Sequence, residues 1–500
     1  MSRDRLLPLL AALPAVLLVV QVHLTCGVVY SLDDPYIHLA LARQILHGHY
    51  GINPGEFAAP ASSILWPFLL APFAFTRLVE FLPLVINLGA LVVAVWWLER
   101  WLETWFSPWW ALVATAALAF ALNLYGLVLT GMENSLQVTL AIVVALSLMR
   151  EGLALRERPG ERLGWPFWLS VVLLPLIRYE GLAISLPVLA LLVLSPGRRL
   201  PALIAAAIVV GVVLGFSLFL HSHGLGLLPS SVLAKAGLGL LHKLPGLDTL
   251  WNNIEQQLFF LVIALFAAVL FVREGKTREA VLLVLAPTAA HLLFGRYGWF
   301  GRYHIYFAAW IVILFVTVYA RAGLARLRFL SAALALWFAY ASLDSMIATL
   351  TTPLGSRNIA DQHKQMAIIA RDYLDEPVAV NDLGFVSFYS PRYLLDLGGL
   401  ASYEALQARA DPASDGWIAD LMGRHHVEQA MVYDNMFPRR PANWIRVATL
   451  HLPMPWVSVG NDKVAFYSTS PQAAARLRQA LANYRQSSPQ AAMMLELVPF

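Results

Sequence analysis

Long apolar runs separated by short polar turns organise most of the chain. They occupy residues 7–28, 79–98, 108–129, 132–149, 165–178, 181–196, 201–221, 254–272, 279–295, 303–320 and 328–348. Each approaches the roughly 20 residues that a helix needs to cross a bilayer, so the pattern predicts about eleven transmembrane helices. The positions of basic residues orient them, because Lys and Arg accumulate on cytoplasmic loops. Arg3 and Arg5 put the amino terminus inside, and every second connection then carries positive charge: Arg100; Arg150, Arg156, Arg158 and Arg162; Arg198 and Arg199; Arg273, Lys276 and Arg278; Arg321, Arg326 and Arg328. The opposite, external face receives a first loop at 29–78, the 129–134 turn, the 222–253 loop, the 295–302 turn and everything from residue 350 onward.

From residue 350 the pattern changes. Strand-like runs VAVND (378–382), RYLLDL (392–397), QAMVYD (429–434) and KVAFYS (463–468) stand between helical patterns at 357–375 and 471–485. Alternation of this kind predicts a small α/β domain. The expected organisation is therefore a helical polytopic membrane module over 1–349 and an extracytoplasmic α/β domain over 350–500. No G-x-G-x-x-G follows any of the strands, so no dinucleotide site is expected.

Composition strengthens the membrane reading. The chain is 59% hydrophobic and 13% charged, whereas about a quarter of residues are charged in soluble proteins. Its net charge of +4 is scattered in short clusters instead of forming one basic face, which argues against nucleic-acid binding. The single cysteine, Cys26, rules out an intramolecular disulfide and a cysteine metal site, and reads as a small apolar filler in the first helix. The opening MSRDR and the run behind it read as an uncleaved anchor, since no A-x-A-like site follows.

The chemistry concentrates at the mouth of the first span, in SLDDPYIHLALARQILHGHYGINPGE (31–56). A carboxylate at the bilayer centre costs about 3 kcal/mol, so Asp33 and Asp34 belong in a wet interface or cavity. Adjacent like charges favour sharing a proton or a cation, which suits a general base or a divalent-metal site for Mg or Mn. Asp34 before Pro35 also reads as a helix cap worth about 1 kcal/mol. From Tyr36 the pattern is amphipathic, predicting an interfacial helix with His38 in its apolar arc. Gly48, Gly51, Pro54 and Gly55 make the remainder an irregular return loop.

Six stretches, in order over most of the chain, resemble the GT-C superfamily of integral-membrane glycosyltransferases, and most closely its arabinofuranosyltransferase-like branch. They are DDPYIHLALARQILHGHYGINPGEFAAPASSILWPFLLAP (33–73), LTGMENSLQ (129–137), IRYEG (177–181), LLPSSVLAK (227–235), FGRYHIYF (300–307) and NDLGFVSFYSPRYLLDLGGL (381–400). Tyr179 stands where that branch has Pro, and Ser230 where it has Asn. The resemblance implies transfer of a monosaccharide, arabinofuranose in that branch, from a polyprenyl-phosphate donor to a glycan or protein on the external face of a bacterial plasma membrane.

In that reading Asp33 or Asp34 is the base or a metal ligand, and Lys235 is the leading phosphate-binding residue, with Arg296 and Arg302 beside it. Each has a plainer role: loop or cap for the acids, interfacial snorkelling for Lys235, headgroup anchoring for the arginines. Arg178 and Glu180 read as an ion pair holding a broken helix near the site. Glu133 is a donor-site candidate or a helix-start acid. Tyr303 and His304 contact sugar or lipid, or belong to the aromatic belt. Asp382 and Asp396 follow strand-like runs, where acceptor-binding groups or turn caps occur. The competing class is a transporter or lipid flippase, which is expected to carry ionisable residues and broken helices near the midplane of two related halves.

Overall fold

The computed structural model describes residues 3–151, 163–235, 247–411, 414–453, 455–487 and 493–499. Every predicted apolar run is helical, but the count of eleven spans is not reached. Among the described residues four helices are long and apolar enough to cross a membrane: Leu7–Cys26, Leu82–Leu102, Arg199–Ser222 and Thr277–Phe294. The number rises to six if the bent pairs Leu250–Gln256 with Leu258–Arg273 (84°) and Arg328–Ala341 with Leu343–Leu374 (43°) each count as one span. The other apolar helices, Pro108–Ala121, Asn134–Met149, Trp165–Ile177, Tyr179–Val193 and Ile305–Arg321, are shorter. Even 17 residues at about 1.5 Å each extend only about 25 Å, less than the roughly 30 Å hydrocarbon core.

The breaks have local causes. Asn123 is left-handed (φ 52°) and separates Pro108–Ala121 from Leu124–Leu129. Arg178 is extended (φ −152°, ψ 136°), which interrupts the 165–193 hairpin just after Pro175. The described part of Asn134–Glu151 and most of Ile305–Arg321 are buried and packed against each other, as expected of helices apolar on every face. Arg199–Ser222 instead turns Leu200, Leu203, Leu214 and Leu218 outward, each more than half exposed. An apolar outer surface of this kind is lipid-facing in a multi-pass membrane protein.

The carboxyl-terminal region contains one six-stranded sheet in the order β2-β1-β3-β5-β4-β6. Its strands are β1 (Val378–Val380), β2 (Leu394–Asp396), β3 (Gln429–Val432), β4 (Ile445–His451), β5 (Lys463–Ser468) and β6 (Leu495–Leu497). The first three are parallel, with Val380 opposite both Asp396 and Met431. The remaining pairings are antiparallel. The four predicted strand runs are β1, β2, β3 and β5; the sequence reading missed β4 and β6. The helical pattern at 357–375 continues Leu343–Asp361 through His363–Leu374, and that at 471–485 is Pro471–Ser487.

The first-loop helix, Asp34–Leu46, does not lie on a surface. Pro35 to Ala42 are all buried, because the helix is enclosed between Trp66–Leu70 and Gly384–Tyr389. Arg43 sits over the Phe388 ring at 3.6 Å and donates to the Phe388 carbonyl at 2.6 Å. The amphipathic pattern therefore faces the sheet region instead of lipid headgroups.

Candidate active site

Asp33 and Asp34 diverge although they are neighbours. The Asp33 carboxylate accepts the backbone N–H of Gly384 at 2.6 Å and that of Phe385 at 2.8 Å, tying the first loop to the helix after β1. Gly384 is required for this approach: a Cβ there would lie 2.0 Å from the Asp33 carbonyl oxygen. Burial pushes the Asp33 carboxyl up to about 6, against the pull of His363. Asp34 does not cap the helix, since the cap position falls on Asp33 without a side-chain bond. It instead meets Arg302 at 2.5 Å.

Asp33 faces His363 and Asp382, and one ligand atom from each of the three lies within 4.8 Å of the others. The His363 Nε2 is 3.2 Å from Asp382. It is also 3.4 Å from the Tyr433 hydroxyl, which donates to Gln362 at 2.7 Å. Asp382 lies just beyond β1 and Tyr433 just beyond β3, so both stand at carboxyl ends of parallel strands, the usual place for ligands in open α/β sheets. A cleft of about 150 Å³ is lined by Asp33, Asp34, His363, Asp382, Tyr433 and, at its rim, Trp299 and Met436. The Trp299 wall belongs to a turn in which Gly298, Trp299, Phe300 and Gly301 are all left-handed. Two non-glycine residues there cost on the order of 1–3 kcal/mol each. Asn123 holds the turn by donating to the Phe300 carbonyl at 2.5 Å, while Thr349 donates to Asn123 at 2.7 Å.

Behind this cleft two arginines flank the Tyr303 ring, Arg302 at 4.8 Å and Arg178 at 5.7 Å. Arg178 donates to Glu133 at 2.6 Å and to Glu180 at 2.8 and 3.3 Å. Ser62 and His38 complete the surroundings of Glu133, at 3.3 and 3.7 Å. Arg302 is equally buried, but among the described residues it reaches, beyond Asp34, only the Tyr303 hydroxyl, at 2.8 Å. Its Nε and Nη1 have no hydrogen-bond partner among the described residues.

The other expected residues fall elsewhere. Asp396 is buried and accepts the backbone N–H groups of Gly398 at 2.7 Å and Ala401 at 2.6 Å, which closes the turn after β2. Burial nevertheless pushes its carboxyl up to about 6. His304 caps Ile305–Arg321 in position and is buried. Arg296 is exposed. Ser230 is buried at the start of helix Ser230–Lys235, and the Lys235 side chain lies outside the described residues.

Sequence reasoning missed His363, Tyr433, Trp299 and Met436. The signal for Tyr433 was present, since it ends a predicted strand next to Asp434. His363 had no motif around it; only its place 330 residues after Asp33 in a folded chain gives it a partner. Asp33 stands with His363 and Asp382 in a group of three that could hold a cation, whereas Asp34, its expected partner in such a site, is turned toward Arg302.

A family profile described as a domain of unknown function (DUF8728) matches residues 357–467, the stretch that contains His363, Asp382 and Tyr433. No curated protein matches the chain. Among solved structures the chain is similar to the crystal structure of the Archaeoglobus fulgidus oligosaccharyltransferase in complex with Zn and sulfate. The two are 13% identical over 96% of this chain and 77% of that one, with a TM-score of 0.49, an overlap that carries no inference about activity.

Proposed function

We propose that the protein is a membrane glycosyltransferase that moves a monosaccharide from a polyprenyl-phosphate donor to an acceptor on the external face of the membrane. The observation that carries this reading is Arg302: a buried guanidinium that has, among the described residues, one carboxylate partner and two nitrogens without partners is suited to an incoming anion. Arginine presents its donors in a planar fork that matches phosphate oxygens. The donor phosphate binds there, and its sugar extends into the cleft where the carboxylates stand.

In the proposed reaction an acceptor oxygen attacks the anomeric carbon. The bond from that carbon to the phosphate oxygen breaks, and polyprenyl phosphate departs with the electron pair. Arg302 stabilises the charge that develops on the leaving phosphate. The hydroxyl proton passes to the carboxylates of the Asp33, His363 and Asp382 cluster. Asp33, pushed up to about 6, is matched to accept a proton near neutral pH.

The same three groups suit a divalent cation. Each Asp33 oxygen accepts one backbone N–H and keeps a further lone pair, and the His363 Nε2 faces the Asp382 carboxylate at 3.2 Å. Two carboxylates and one imidazole form a mixed oxygen and nitrogen donor set for a divalent ion, Mg or Mn in the expectation from the sequence. When bound, such an ion supplies Lewis-acid polarisation of an oxygen. The arabinofuranose donor, the external side and the bacterial plasma membrane are parts of the same proposal and rest on the sequence resemblance.

Purified protein incubated with polyprenyl-phosphate sugars is expected to release polyprenyl phosphate. The Asp33→Ala, Asp34→Ala double variant is expected to lose this activity while remaining monodisperse in detergent. Release at the parent rate by the double variant would remove the proposed chemistry.

A further inference from the structure

The cleft that contains Asp33 and Asp382 is small, about 150 Å³, and it has a neighbour. Met436, which is 39% exposed, also lines a second and larger depression of about 870 Å³ on the sheet region. That volume lies within the range of roughly 300–1,000 Å³ typical of ligand sites. Its walls come from the end of helix Tyr403–Ala410, the start of helix Trp417–Arg424 and the 434–442 turn. Nothing assigned so far uses it.

We propose that this groove, lined by Arg409, Asp415, Trp417, Met436, Arg439 and Arg440, is the acceptor site and takes an oligosaccharide. The inference rests on the glycosyltransferase reading and deepens it. Met436 lines both the groove and the cleft, so the two are adjacent, and the cleft is where an acceptor hydroxyl is required. Guanidinium and carboxylate groups stand side by side at its surface: Arg439 meets Asp415 at 3.5 Å, and both are more than three-quarters exposed. Such a pair offers donors and acceptors together, which is what vicinal sugar hydroxyls need, since each hydroxyl both gives and accepts. Trp417 adds a partly exposed ring, and Arg409 lies 5.8 Å above the Phe437 ring, so the groove has flat apolar faces as well. Arg440 is fixed beside Asp434 at 3.6 Å and over the Tyr467 ring at 5.6 Å.

The alternative occupant is an extended peptide. Peptides are commonly held by adding a strand to a free sheet edge. The residues lining this groove belong to helices and turns and include no strand, which favours a glycan.

The test separates acceptor binding from donor chemistry. Donor hydrolysis by water, measured as polyprenyl phosphate released without acceptor, reports the cleft alone. Transfer to a delipidated envelope polysaccharide from cells lacking the protein reports the groove. Trp417→Ala and Arg439→Ser are each expected to raise the acceptor KM about tenfold while hydrolysis stays at the parent rate. Arg439 is so exposed that its variant decides the matter if Trp417→Ala folds poorly. An unchanged acceptor KM in Arg439→Ser, with the parent protein active, would overturn the groove assignment and leave the glycosyltransferase reading standing. Label transferred to the envelope protein fraction and not to the polysaccharide would also overturn it. A parent protein inactive in both assays would overturn both.

Discussion

Two arginines approach one tyrosine ring, and their surroundings differ in a way that separates structure from chemistry. Arg178 is saturated: its guanidinium is shared between Glu133 and Glu180 and reaches Ser62 as well. Arg302 is as deeply buried but has a single carboxylate, Asp34, whose side chain keeps 30% exposure. A saturated buried pair holds elements together, here the 129–134 turn and the break at Arg178. An undersatisfied buried cation is costly unless something else binds it.

The largest expected effect comes from breaking the saturated side. Arg178→Ala leaves Glu133, which is fully buried, without its main counter-charge. Losing one partner of a buried pair costs about 3–5 kcal/mol, so thermal melting in detergent should fall steeply and yield should drop. A variant that melts with the parent would show that Glu133 finds another partner and that the knot is not structural. Breaking the other side should spare the fold and remove the reaction. Arg302→Ala is expected to slow polyprenyl phosphate release about 100- to 1,000-fold, the range for one lost charge stabiliser, with little change in melting because Asp34 can be hydrated. Loss of folding in place of activity would make the two arginines equivalent and end the comparison.

Gly384→Ala sharpens it from the carboxylate side. The new Cβ collides with Asp33, so stability should fall by about 1–3 kcal/mol, and release should slow as Asp33 is displaced from His363 and Asp382. Parent-like activity would detach the position of Asp33 from catalysis. The smallest effect is predicted for Arg296→Ala. This arginine is exposed, so both melting and release should stay within about 0.5 kcal/mol of the parent. A large loss of activity there would move the donor phosphate away from Arg302.

Arg296 and Arg302 illustrate how far the sequence could be read. Both flank RYGWFGR, and nothing in the spacing distinguishes them. The left-handed turn at 298–301 decides the matter by burying one and exposing the other. Branched and aromatic residues made strands legible in KVAFYS and QAMVYD, but β4, with Ile445, Val447 and Thr449, was missed although it carries the same signal. β6 was not legible, because LEL is only three residues long and is specified by its pairing with β4. Helix length was also overestimated at 108–129, since hydropathy registers apolar content and not the backbone break at Asn123, whereas the break at Arg178 was already legible between the runs 165–178 and 181–196.

By itself the sequence determined what depends on local chemistry. Apolar runs must be helical because a backbone away from water has to satisfy its hydrogen bonds internally. The paired acids at 33–34 are expected outside the hydrocarbon because their ionisation is costly within it. Tertiary structure alone decided which partners those acids meet. Asp33 is brought to His363 and Asp382 from more than 300 residues away, and Asp34 to Arg302, by the packing of the first-loop helix under Gly384–Tyr389. Contacts between charges fall off over a few ångströms, so chain order cannot report them and only the fold can set them.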